Sequence, residues 1–379
     1  MSTNAQRDGN AGLDGVVVAD TLLSLVDGEA GRLVIRGFAL EELAGTCSYE
    51  RALQILLAGF LSDQVLAGMP AQLGAARSQV FRRLQALHAD ETLRSLSPIE
   101  ALRALLARLP DGDDDATAMR LIAAPAVFTA AIARARRGQA PIAPEATLGH
   151  AADLLRMLRG EDADACEAAA LETYLVTVLD HGLNASTFAA RVVASTRAGL
   201  TSAVIAALSA LKGPLHGGAP GPVLDMLDAI GAPEHAGAWI EEQLVAGARL
   251  MGFGHRIYRV RDPRADALRA ALRSLASAGS RARTERTQAR LKLAEAVEHS
   301  ALEALRRLKP QRTLQTNVEF YTAVLLEALG FARDSFTGVF AAGRVGGWIA
   351  HAREQLRTGR LIRPQSRYIG PSPTPRQTA

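Results

Sequence analysis

Aromatic side chains and cysteines are both rare in this sequence. Of its 379 residues, 4% are Phe, Trp or Tyr, and the only two cysteines are Cys47 and Cys166. Two cysteines make neither a disulfide framework nor a cysteine-rich metal site, and they suit a reducing compartment. With so few aromatic rings among dispersed arginines, the chain lacks the stacking surface typical of proteins that bind single-stranded nucleic acid.

The sequence also has neither a large excess of one charge nor a long apolar run. The chain has 43 basic and 39 acidic residues, a net charge of +4, which favours pockets for small polyanions over a nucleic-acid partner. The longest uncharged stretch, near "LIAAPAVFTAAIA", is short and broken by a proline, so we predict no membrane span. The start, "MSTNAQRDGNAG", has neither a hydrophobic signal core nor an Arg-rich amphipathic helix. These features predict a soluble, cytoplasmic protein.

The sequence is instead rich in residues that form helices. Hydrophobic residues make up 48% of the chain, and Ala and Leu, which lose little on entering a helix, dominate them. We therefore predict a mainly α fold with one short β segment near the N-terminus. There, Val16–Val18 and Leu33–Ile35 are β-prone runs on either side of an Asp27-Gly28 turn.

Apolar periodicity places several of the predicted helices. The segment "LETYLVTVLDHG" puts five apolar residues on one helix face: Leu171, Tyr174, Leu175, Val178 and Leu179. The segment "LTSAVIAALSALKG" is apolar almost all round, which predicts a central buried helix. From Ala265 to Leu308 the chain becomes Arg-, Ala- and Glu-rich with helical spacing. This change of composition predicts a smaller domain that begins after the loop around His216.

Four segments interrupt the apolar helices with clustered polar groups. They are "LDHGLNAST", "GPLHGGA", "GFGHRIYRVRDPRA" and "TNVEFYTAVLLEALGF". Three of the eight histidines, His181, His216 and His255, lie in them, at helix edges or in Gly-rich loops where reactive groups are commonly presented. A purely structural interpretation stays open for each: His181 could cap a helix end, and the glycines around His255 could serve only a tight turn.

The same two interpretations apply to His216 and Glu319. If Gly213 takes a left-handed helix cap and Pro214 prevents continuation, the His216 segment is explained without a function. Alternatively, the glycines open the backbone to a ligand while the Gly-Pro turn fixes the imidazole. Glu319 lies at the start of an amphipathic helix, where a carboxylate favourably meets the positive end of the helix dipole.

The absence of other catalytic motifs narrows the chemistry. The sequence contains no H-E-x-x-H, no Cys/His pair with metal-ligand spacing and no G-x-S-x-G, so we predict neither a metal site nor a serine nucleophile. What remains is histidines that donate hydrogen bonds, a carboxylate that can act as a base, and arginines that hold anions. These groups suit abstraction of a proton next to a carbonyl and addition of the resulting enol to a second carbonyl.

Five motifs in a fixed order give a resemblance to a known family. "DHGLNASTFAARVVAST", "ALKGPLHGGA", "GFGHRIYRVRDPRA", "NVEFYTAVLLEALG" and "GWIAHAREQ" followed by "RLIRPQSRYIG" together resemble the citrate synthase family, from about Gly12 to Gly370. The resemblance implies a multi-helical fold with a large and a small domain, a homodimer, and no metal or redox cofactor. It implies a Claisen-type acyltransferase that joins acetyl-CoA to oxaloacetate and hydrolyses the thioester to citrate and CoA.

On this resemblance, the large domain is made of two separate parts of the chain. The predicted bounds are 12–218 and 326–370 for the large domain and 219–325 for the small domain between them. The N-terminus, 1–11, and the tail, 371–379, are predicted to be disordered.

The resemblance also implies roles for nine residues, motif by motif. His216 in "GPLHGG" would hold the thioester carbonyl of acetyl-CoA, His255 in "GFGHR" would polarise the ketone of oxaloacetate, and Glu319 in "NVEFY" would be the base. The other six would bind substrates: His181, Arg264, Arg344 and Arg363 oxaloacetate or citrate, with Arg363 reaching across the dimer, and Arg259 and Arg312 the phosphates of CoA. Guanidinium groups suit this role because their forks match carboxylates bidentately.

The sequence departs from the family pattern at three positions. Glu319 stands where the family usually has aspartate, Pro220 where it has asparagine, and Thr316 where it has proline. A reacting group displaced by about 1 Å can cost on the order of a hundredfold in rate, so Glu319 implies an adjusted site or slower turnover. A carboxylate closed beneath a lid is also expected to have a raised pKa.

Two alternatives follow from these departures and from the limits of the motifs. One is a 2-methylcitrate synthase that uses propionyl-CoA, because one extra methylene in an apolar pocket changes binding by only about 1 to 3 kcal/mol. The other is a catalytically silent paralogue that binds oxaloacetate or CoA.

Overall fold

A computed structural model describes residues 12, 13, 15–84, 90–217, 220–278, 281–366 and 368–371 of the chain. Three short strands lie near the N-terminus: β1 Ser24–Asp27, β2 Arg32–Ile35 and β3 Phe38–Ala39. Helices make up most of the rest: α1 Leu40–Leu43, α2 Tyr49–Leu57, α3 Asp63–Ala67, α4 Met69–Phe81, α5 Glu91–Ser95, α6 Pro98–Leu106, α7 Asp115–Arg136, α8 His150–Arg159, α9 Ala165–Thr177, α10 Ala185–Ser195, α11 Leu200–Leu211, α12 Pro220–Ile230, α13 Ala236–Val245, α14 Pro263–Ser277, α15 Arg281–Leu308, α16 Val318–Ala328 and α17 Phe336–Thr358. Single 3₁₀ turns occupy Arg82–Leu84, Pro233–His235 and Arg333–Ser335. The mainly α fold is confirmed.

The three strands form one antiparallel sheet in the order β1–β2–β3. Ser24 of β1 pairs with Ile35 of β2, and the predicted Asp27-Gly28 turn begins the hairpin connection. One of the two predicted runs forms β2, but the prediction of a strand at Val16–Val18 was wrong, since these residues lie in mostly exposed irregular chain. A strand needs a partner for its backbone groups, and β2 ends opposite Ser24, which leaves the earlier valines nothing to pair with.

Helix α17 packs closely against the segment that follows α9. A Cβ atom at Gly343 would lie 2.4 Å from Cγ2 of Val178, and one at Gly347 would lie 2.3 Å from the carbonyl oxygen of Leu179. Glycine permits this approach because it has no side chain. The contact places the polar residues of α17 against the loop that carries His181.

The two predicted apolar helices have different degrees of burial. The five residues predicted on one face in and just after α9 are all fully buried: Leu171, Tyr174, Leu175, Val178 and Leu179. Helix α11 was predicted to be a central buried helix, and only part of its surface is buried. Its packed sides face α10 and α17, while Ile205, Ala206 and Ala210 are half-exposed in this single chain.

Helix α7 corrects the expectation that a proline breaks the longest apolar stretch. It is one helix of 22 residues with Pro125 inside it. By length and composition this helix could cross a membrane, but 89% of its apolar window is buried inside the protein. That burial is typical of a core helix.

The predicted small domain, 219–325, contains α12 to α15 and most of α16. Helix α14 packs against α15 and α16 and also against α9 of the predicted large domain. Two residues at the predicted boundary, 218 and 219, lie outside the described chain, as do the predicted disordered ends apart from Pro371. The division into two domains stays a prediction.

Candidate active site

Six of the nine predicted site residues form one cluster, which we call the pocket, and three lie outside it. Ring contacts, hydrogen bonds and electrostatic interactions connect the six: His181, His216, His255, Arg264, Glu319 and Arg344. His181 and His216 follow α9 and α11, and His255 lies in the loop before α14. Arg264 and Glu319 lie in the first turns of α14 and α16, and Arg344 lies near the middle of α17.

The loop after α9 holds His181 between two fixed ends. On one side, buried Asp180 accepts a hydrogen bond of 2.6 Å from Oγ of Ser24 and lies 3.2 Å from Nε2 of His351. On the other side, Asn184 caps α10 by accepting hydrogen bonds of 3.1 Å from two of the first amides of that helix. The backbone at His181 is therefore held at both ends.

The imidazole of His181 is buried among polar rings and cations. Its Nε2 lies 3.1 Å from the hydroxyl of Tyr258, and its ring makes an edge contact with the ring of His255 at 5.7 Å between centroids. Burial and the nearby cations Arg264 and Arg344 hold its pKa well below the ordinary value. His181 is therefore uncharged at neutral pH.

His216 lies in a tight turn after α11. Its amide donates to the carbonyl of Gly213, and the amide of Gly217 donates to the carbonyl of Leu211, each over 2.9 Å. The predicted left-handed cap at Gly213 was wrong, because α11 ends at Lys212 with φ −63° and Gly213 does not have a positive φ. The turn is instead closed by the two backbone hydrogen bonds given above.

The imidazole of His216 has a defined hydrogen-bonding direction. Its Nε2 lies 3.3 Å from the amide nitrogen of Ser186 and 2.8 Å from Oγ of Ser186, which also accepts a hydrogen bond of 3.1 Å from the indole of Trp348. An amide can only donate, so Nε2 accepts and the neutral ring carries its proton on Nδ1. Burial, together with Arg344, lowers the pKa of His216 to about 4. At neutral pH the ring presents an N–H donor at Nδ1.

His255 is held in the opposite tautomer. Its Nδ1 accepts hydrogen bonds of 3.0 Å from the amides of Ile257 and Tyr258, so its proton is on Nε2. Burial, together with Arg264, lowers its pKa to about 4. Nε2 lies 3.2 Å from Nη2 of Arg264, so two donors stand side by side. Such a pair favours an oxygen acceptor bound by both.

Two buried guanidinium groups bring positive charge to the pocket. Arg264 is paired with Asp262 through hydrogen bonds of 2.8 and 3.0 Å. Arg344 is 1% exposed and donates to the carbonyl of Val178, but no salt bridge joins it to a carboxylate in the described part of the chain. Burial lowers its pKa to about 10, although the charge of Asp180 partly offsets this. A buried cation without a full counter-charge is suited to bind an anion.

Glu319 lies in the first turn of α16, at the edge of the same pocket. Asn317 caps this helix by accepting a hydrogen bond of 3.0 Å from the amide of Glu319. The Oε2 atom of Glu319 is buried and has no hydrogen-bond partner among the described residues. Burial raises its pKa to about 7, although Arg264 acts in the other direction. This agrees with the expected raised pKa, and a carboxylate with this pKa is matched to proton transfer at neutral pH.

The other three predicted residues, Arg259, Arg312 and Arg363, are exposed at the surface. The amide of Arg259 donates a hydrogen bond of 2.9 Å to the carbonyl of Gly28, so the hairpin turn between β1 and β2 holds the loop after His255. The roles of these three arginines at CoA and at a partner subunit stay predictions.

Sequence reasoning missed the residues that contact the site histidines, Arg264 or the neighbours of these residues. They are Ser186, Tyr258, Asp262, Trp348 and His351. The requirement that a functional imidazole has a partner on its second nitrogen could have directed attention to Tyr258, three residues after His255. Trp348 lies 162 residues from its partner Ser186, and no local pattern indicates that contact.

Together, the fold and the pocket define a mainly helical protein with an anion site built from uncharged histidines, buried guanidinium groups and one carboxylate of raised pKa. Residues 12–365 match the protein family described as citrate synthase, C-terminal domain. Citrate synthase of Haloferax volcanii is 38% identical over 95% of both chains, and 2-methylcitrate synthase of Mycobacterium tuberculosis is 36% identical over 97% of this chain and 92% of that one. The chain belongs to the citrate synthase family.

Solved structures show the same fold. The crystal structure of citrate synthase from Thermotoga maritima matches with a TM-score of 0.82 at 32% identity, over 96% of both chains. Citrate synthase from Thermoplasma acidophilum, solved as a ternary complex with carboxymethyl coenzyme A and oxaloacetate, matches with a TM-score of 0.82 at 26% identity, over 97% of both chains. The multi-helical fold expected from the motifs is therefore confirmed.

Proposed function

We propose that this chain is a citrate synthase, which condenses acetyl-CoA with oxaloacetate and hydrolyses the citryl thioester to citrate and CoA. The observation that carries the proposal is one pocket with three kinds of group: neutral histidines, a buried cation without a full counter-charge, and Glu319 with a pKa of about 7. The relatives named above and the neighbouring structure in complex with oxaloacetate and a CoA analogue support it.

Oxaloacetate binds first to the cationic part of the pocket. Arg344 and the donors that Asp262 leaves available on Arg264 hold its two carboxylates, and His181 adds a hydrogen bond. The Nε2–H of His255 donates to the ketone oxygen, which lies next to Nη2 of Arg264. These donors polarise the ketone because they are preorganised in a site of low dielectric.

Acetyl-CoA is activated by Glu319 and His216. The carboxylate of Glu319 removes a proton from the methyl carbon, and the Nδ1–H of His216 donates to the thioester oxygen. A neutral imidazole is a suitable donor here because its N–H stabilises the developing enolate by a hydrogen bond to the enolate oxygen. The raised pKa of Glu319 brings the base closer to the weakly acidic C–H group.

The new carbon–carbon bond forms when the enolate carbon attacks the ketone carbon of oxaloacetate. The former ketone oxygen takes up the negative charge beside Arg264 and receives the Nε2 proton of His255. His255 regains a proton from solvent, and Glu319 releases to solvent the proton that it took from the methyl carbon. Water then adds to the thioester carbonyl, the carbon–sulfur bond breaks, and citrate and CoA leave. Arg259 and Arg312 bind the CoA phosphates at the surface. No resident metal or redox cofactor takes part in this scheme.

The proposed enzyme is a cytoplasmic homodimer that supplies citrate to the tricarboxylic acid cycle, with Arg363 completing the site of the other subunit. Arg363 lies in an exposed segment between Leu361, which is 57% exposed, and Ile369, which is 79% exposed. Such apolar side chains, like the half-exposed side of α11, are suited to burial in a subunit interface. The free cysteines support a reducing compartment.

The test is release of free thiol with oxaloacetate, comparing acetyl-CoA and propionyl-CoA over a concentration series. We expect oxaloacetate-dependent release with a higher kcat/KM for acetyl-CoA. A higher value for propionyl-CoA would identify a 2-methylcitrate synthase. Glu319→Gln is the control and should bind oxaloacetate while its rate of thiol release falls by on the order of 10²- to 10⁴-fold. Folded wild-type protein that binds oxaloacetate but releases no thiol with either substrate would be a silent binder.

A further inference from the structure

Tyr258 contacts three of the residues that the proposed function places around oxaloacetate, and the reaction scheme gives it no role. Its side chain is 2% exposed, and its hydroxyl lies 3.1 Å from Nε2 of His181. Its ring lies 4.8 Å from the ring of His255 and 5.7 Å from the guanidinium carbon of Arg264. The tyrosine therefore fills the space between both oxaloacetate histidines and a carboxylate-binding arginine.

The hydrogen bond between Tyr258 and His181 has one favourable direction. Burial raises the pKa of the Tyr258 phenol, so the hydroxyl keeps its proton. In the described part of the chain, the acceptor within reach of that proton is Nε2 of His181. If Nε2 carried a hydrogen instead, the phenol proton would be buried without an acceptor, which is unfavourable. The phenol therefore donates, and the neutral ring of His181 carries its proton on Nδ1.

Each of the three histidines then accepts a hydrogen bond at one ring nitrogen and carries its proton on the other. Backbone amides donate to one nitrogen of His216 and of His255, which leaves an N–H at the opposite nitrogen. At His181 the donor is a side chain. The other nitrogen of His181, Nδ1, has no hydrogen-bond partner among the described residues. It is thus available as a donor to an anionic ligand.

We propose that Tyr258 is a positioning residue for oxaloacetate: its hydroxyl holds His181 in the tautomer that presents Nδ1–H to a substrate carboxylate. This inference rests on the proposed function of the pocket. Among the three tautomer-setting contacts, this is the one that a side-chain substitution can remove, because amides cannot be deleted in the same way.

The first measurement is the affinity of Tyr258→Phe for oxaloacetate, determined by titration calorimetry. Loss of the hydroxyl should raise the Kd roughly 10- to 100-fold, because His181 then populates both tautomers and one of them points a lone pair at the carboxylate. The KM for acetyl-CoA should stay within about twofold of the wild-type value. The matched control is Tyr49→Phe, which removes another buried phenol, one that donates over 2.9 Å to the carbonyl of Ala342. It should lower stability and leave the Kd unchanged.

The second measurement uses the unaltered protein. In ¹⁵N-histidine NMR spectra, the resonances absent from His181→Gln identify His181. We expect a protonated Nδ1 and an unprotonated Nε2 in the wild type, and loss of this single tautomer in Tyr258→Phe. A wild-type His181 protonated at Nε2 would overturn the proposal even if Tyr258→Phe did not fold.

A double-mutant comparison separates positioning from general stability. In a His181→Ala background, adding Tyr258→Phe should change the oxaloacetate Kd by less than about twofold, because the tyrosine acts through the imidazole. An equal loss in both backgrounds, or wild-type affinity in Tyr258→Phe, would contradict the proposal. If the wild type binds no oxaloacetate, the proposed function fails, while the NMR measurement still decides the role of Tyr258.

Discussion

Oγ1 of Thr316 donates a hydrogen bond of 2.6 Å to Oε1 of the buried Glu298. The same carboxylate accepts hydrogen bonds of 2.6 Å from Tyr321 and 2.7 Å from Arg261. Glu298, on α15, thus connects the start and the second turn of α16 to the loop that follows His255. Threonine at a position where the family usually has proline is therefore a specific contact, since proline could not donate this hydrogen bond.

Thr316→Val should lower the free energy of unfolding by about 1.5 to 3 kcal/mol. Valine has nearly the same shape as threonine, but it cannot donate the hydrogen bond to the buried, charged Glu298. Thr177→Val is the matched control. Its hydroxyl donates over 2.6 Å to the carbonyl of Thr173 within α9, and its loss should cost less than about 1 kcal/mol. Urea unfolding of both variants measures the difference, and equal losses would show that Glu298 does not depend on Thr316.

The pH dependence of catalysis should report the ionisation of Glu319. Only the ionised carboxylate can accept a proton, so kcat/KM should rise with pH and level off above a pKa of about 7. His216 and His255, each with a pKa of about 4, stay neutral through this range and add no step to the profile. Initial rates at saturating oxaloacetate measure the curve.

Two variants of Glu319 control that experiment. Glu319→Gln should lower kcat by on the order of 10²- to 10⁴-fold and abolish the step near pH 7. Glu319→Asp, which restores the residue usual in the family, should keep a titrating step. A wild-type profile that is flat between about pH 6 and pH 8 would contradict the assignment of Glu319 as the base.

We expect Arg344 to contribute to the binding of oxaloacetate and not to the stability of the folded protein. Arg344→Met removes a buried cation that has no salt bridge in the described chain, so the free energy of unfolding should stay the same or increase. Affinity for oxaloacetate should fall by roughly 100-fold or more, because a substrate carboxylate loses its charged partner. Denaturation and titration calorimetry on the same sample separate the two effects.

Arg77→Met is the counterpart for that test. Arg77 is equally buried but is paired with buried Asp153 over 2.7 Å. Its removal should cost about 3 to 5 kcal/mol, because among the residues that the structure describes buried Asp153 keeps only Arg156, at 3.0 Å, as a charged partner. The carbonyls of Glu145 and Leu148 also lose the donor that Arg77 provides. If Arg344→Met destabilised the protein as strongly as Arg77→Met, Arg344 would be a structural residue.

Glu172 should make the protein less stable as pH rises. Burial, with the neighbouring charge of Glu50, raises its pKa from 4.5 to about 7. Ionisation is then harder in the folded protein than in the unfolded chain, so this group reduces the free energy of unfolding as pH increases from about 4.5 through 7. The stability of Glu172→Gln relative to wild type should increase over this range. Glu234→Gln, in an exposed turn, should show no such trend in parallel denaturation series.

The sequence predicts the helical fold and the pocket through two different kinds of information. Ala and Leu content and apolar spacing are local, so they predicted α9 and the helical character of 265–308, but not its division into α14 and α15. The six pocket residues were identified through motifs that resemble a family, and local chemistry alone left a structural interpretation open for each histidine. The resemblance supplied their order along the chain, and the fold then showed that they lie close together.

What the sequence could not predict depends on contacts between distant segments. Val16–Val18 has strand propensity but no partner strand, and Pro125 is accommodated inside α7 because the surrounding helices bury it. The only partly compensated charge of Arg344 follows from its burial and not from its motif. The tautomers of the histidines likewise depend on amides and hydroxyls whose positions are known only once the chain is folded.

The two glycines of α17 that touch the chain after α9 have a consequence for sequence variation. A methyl group at Gly347 would have to displace the carbonyl of Leu179, two residues before His181, and one at Gly343 would have to displace the side chain of Val178. If α17 moved instead, Arg344 would move with it. The distance between His181 and Arg344 in the proposed oxaloacetate site therefore depends on two positions that the reaction scheme places at no substrate. A survey of all single substitutions would find these two positions as intolerant as Glu319, the proposed base, and a search for reactive groups alone would overlook them.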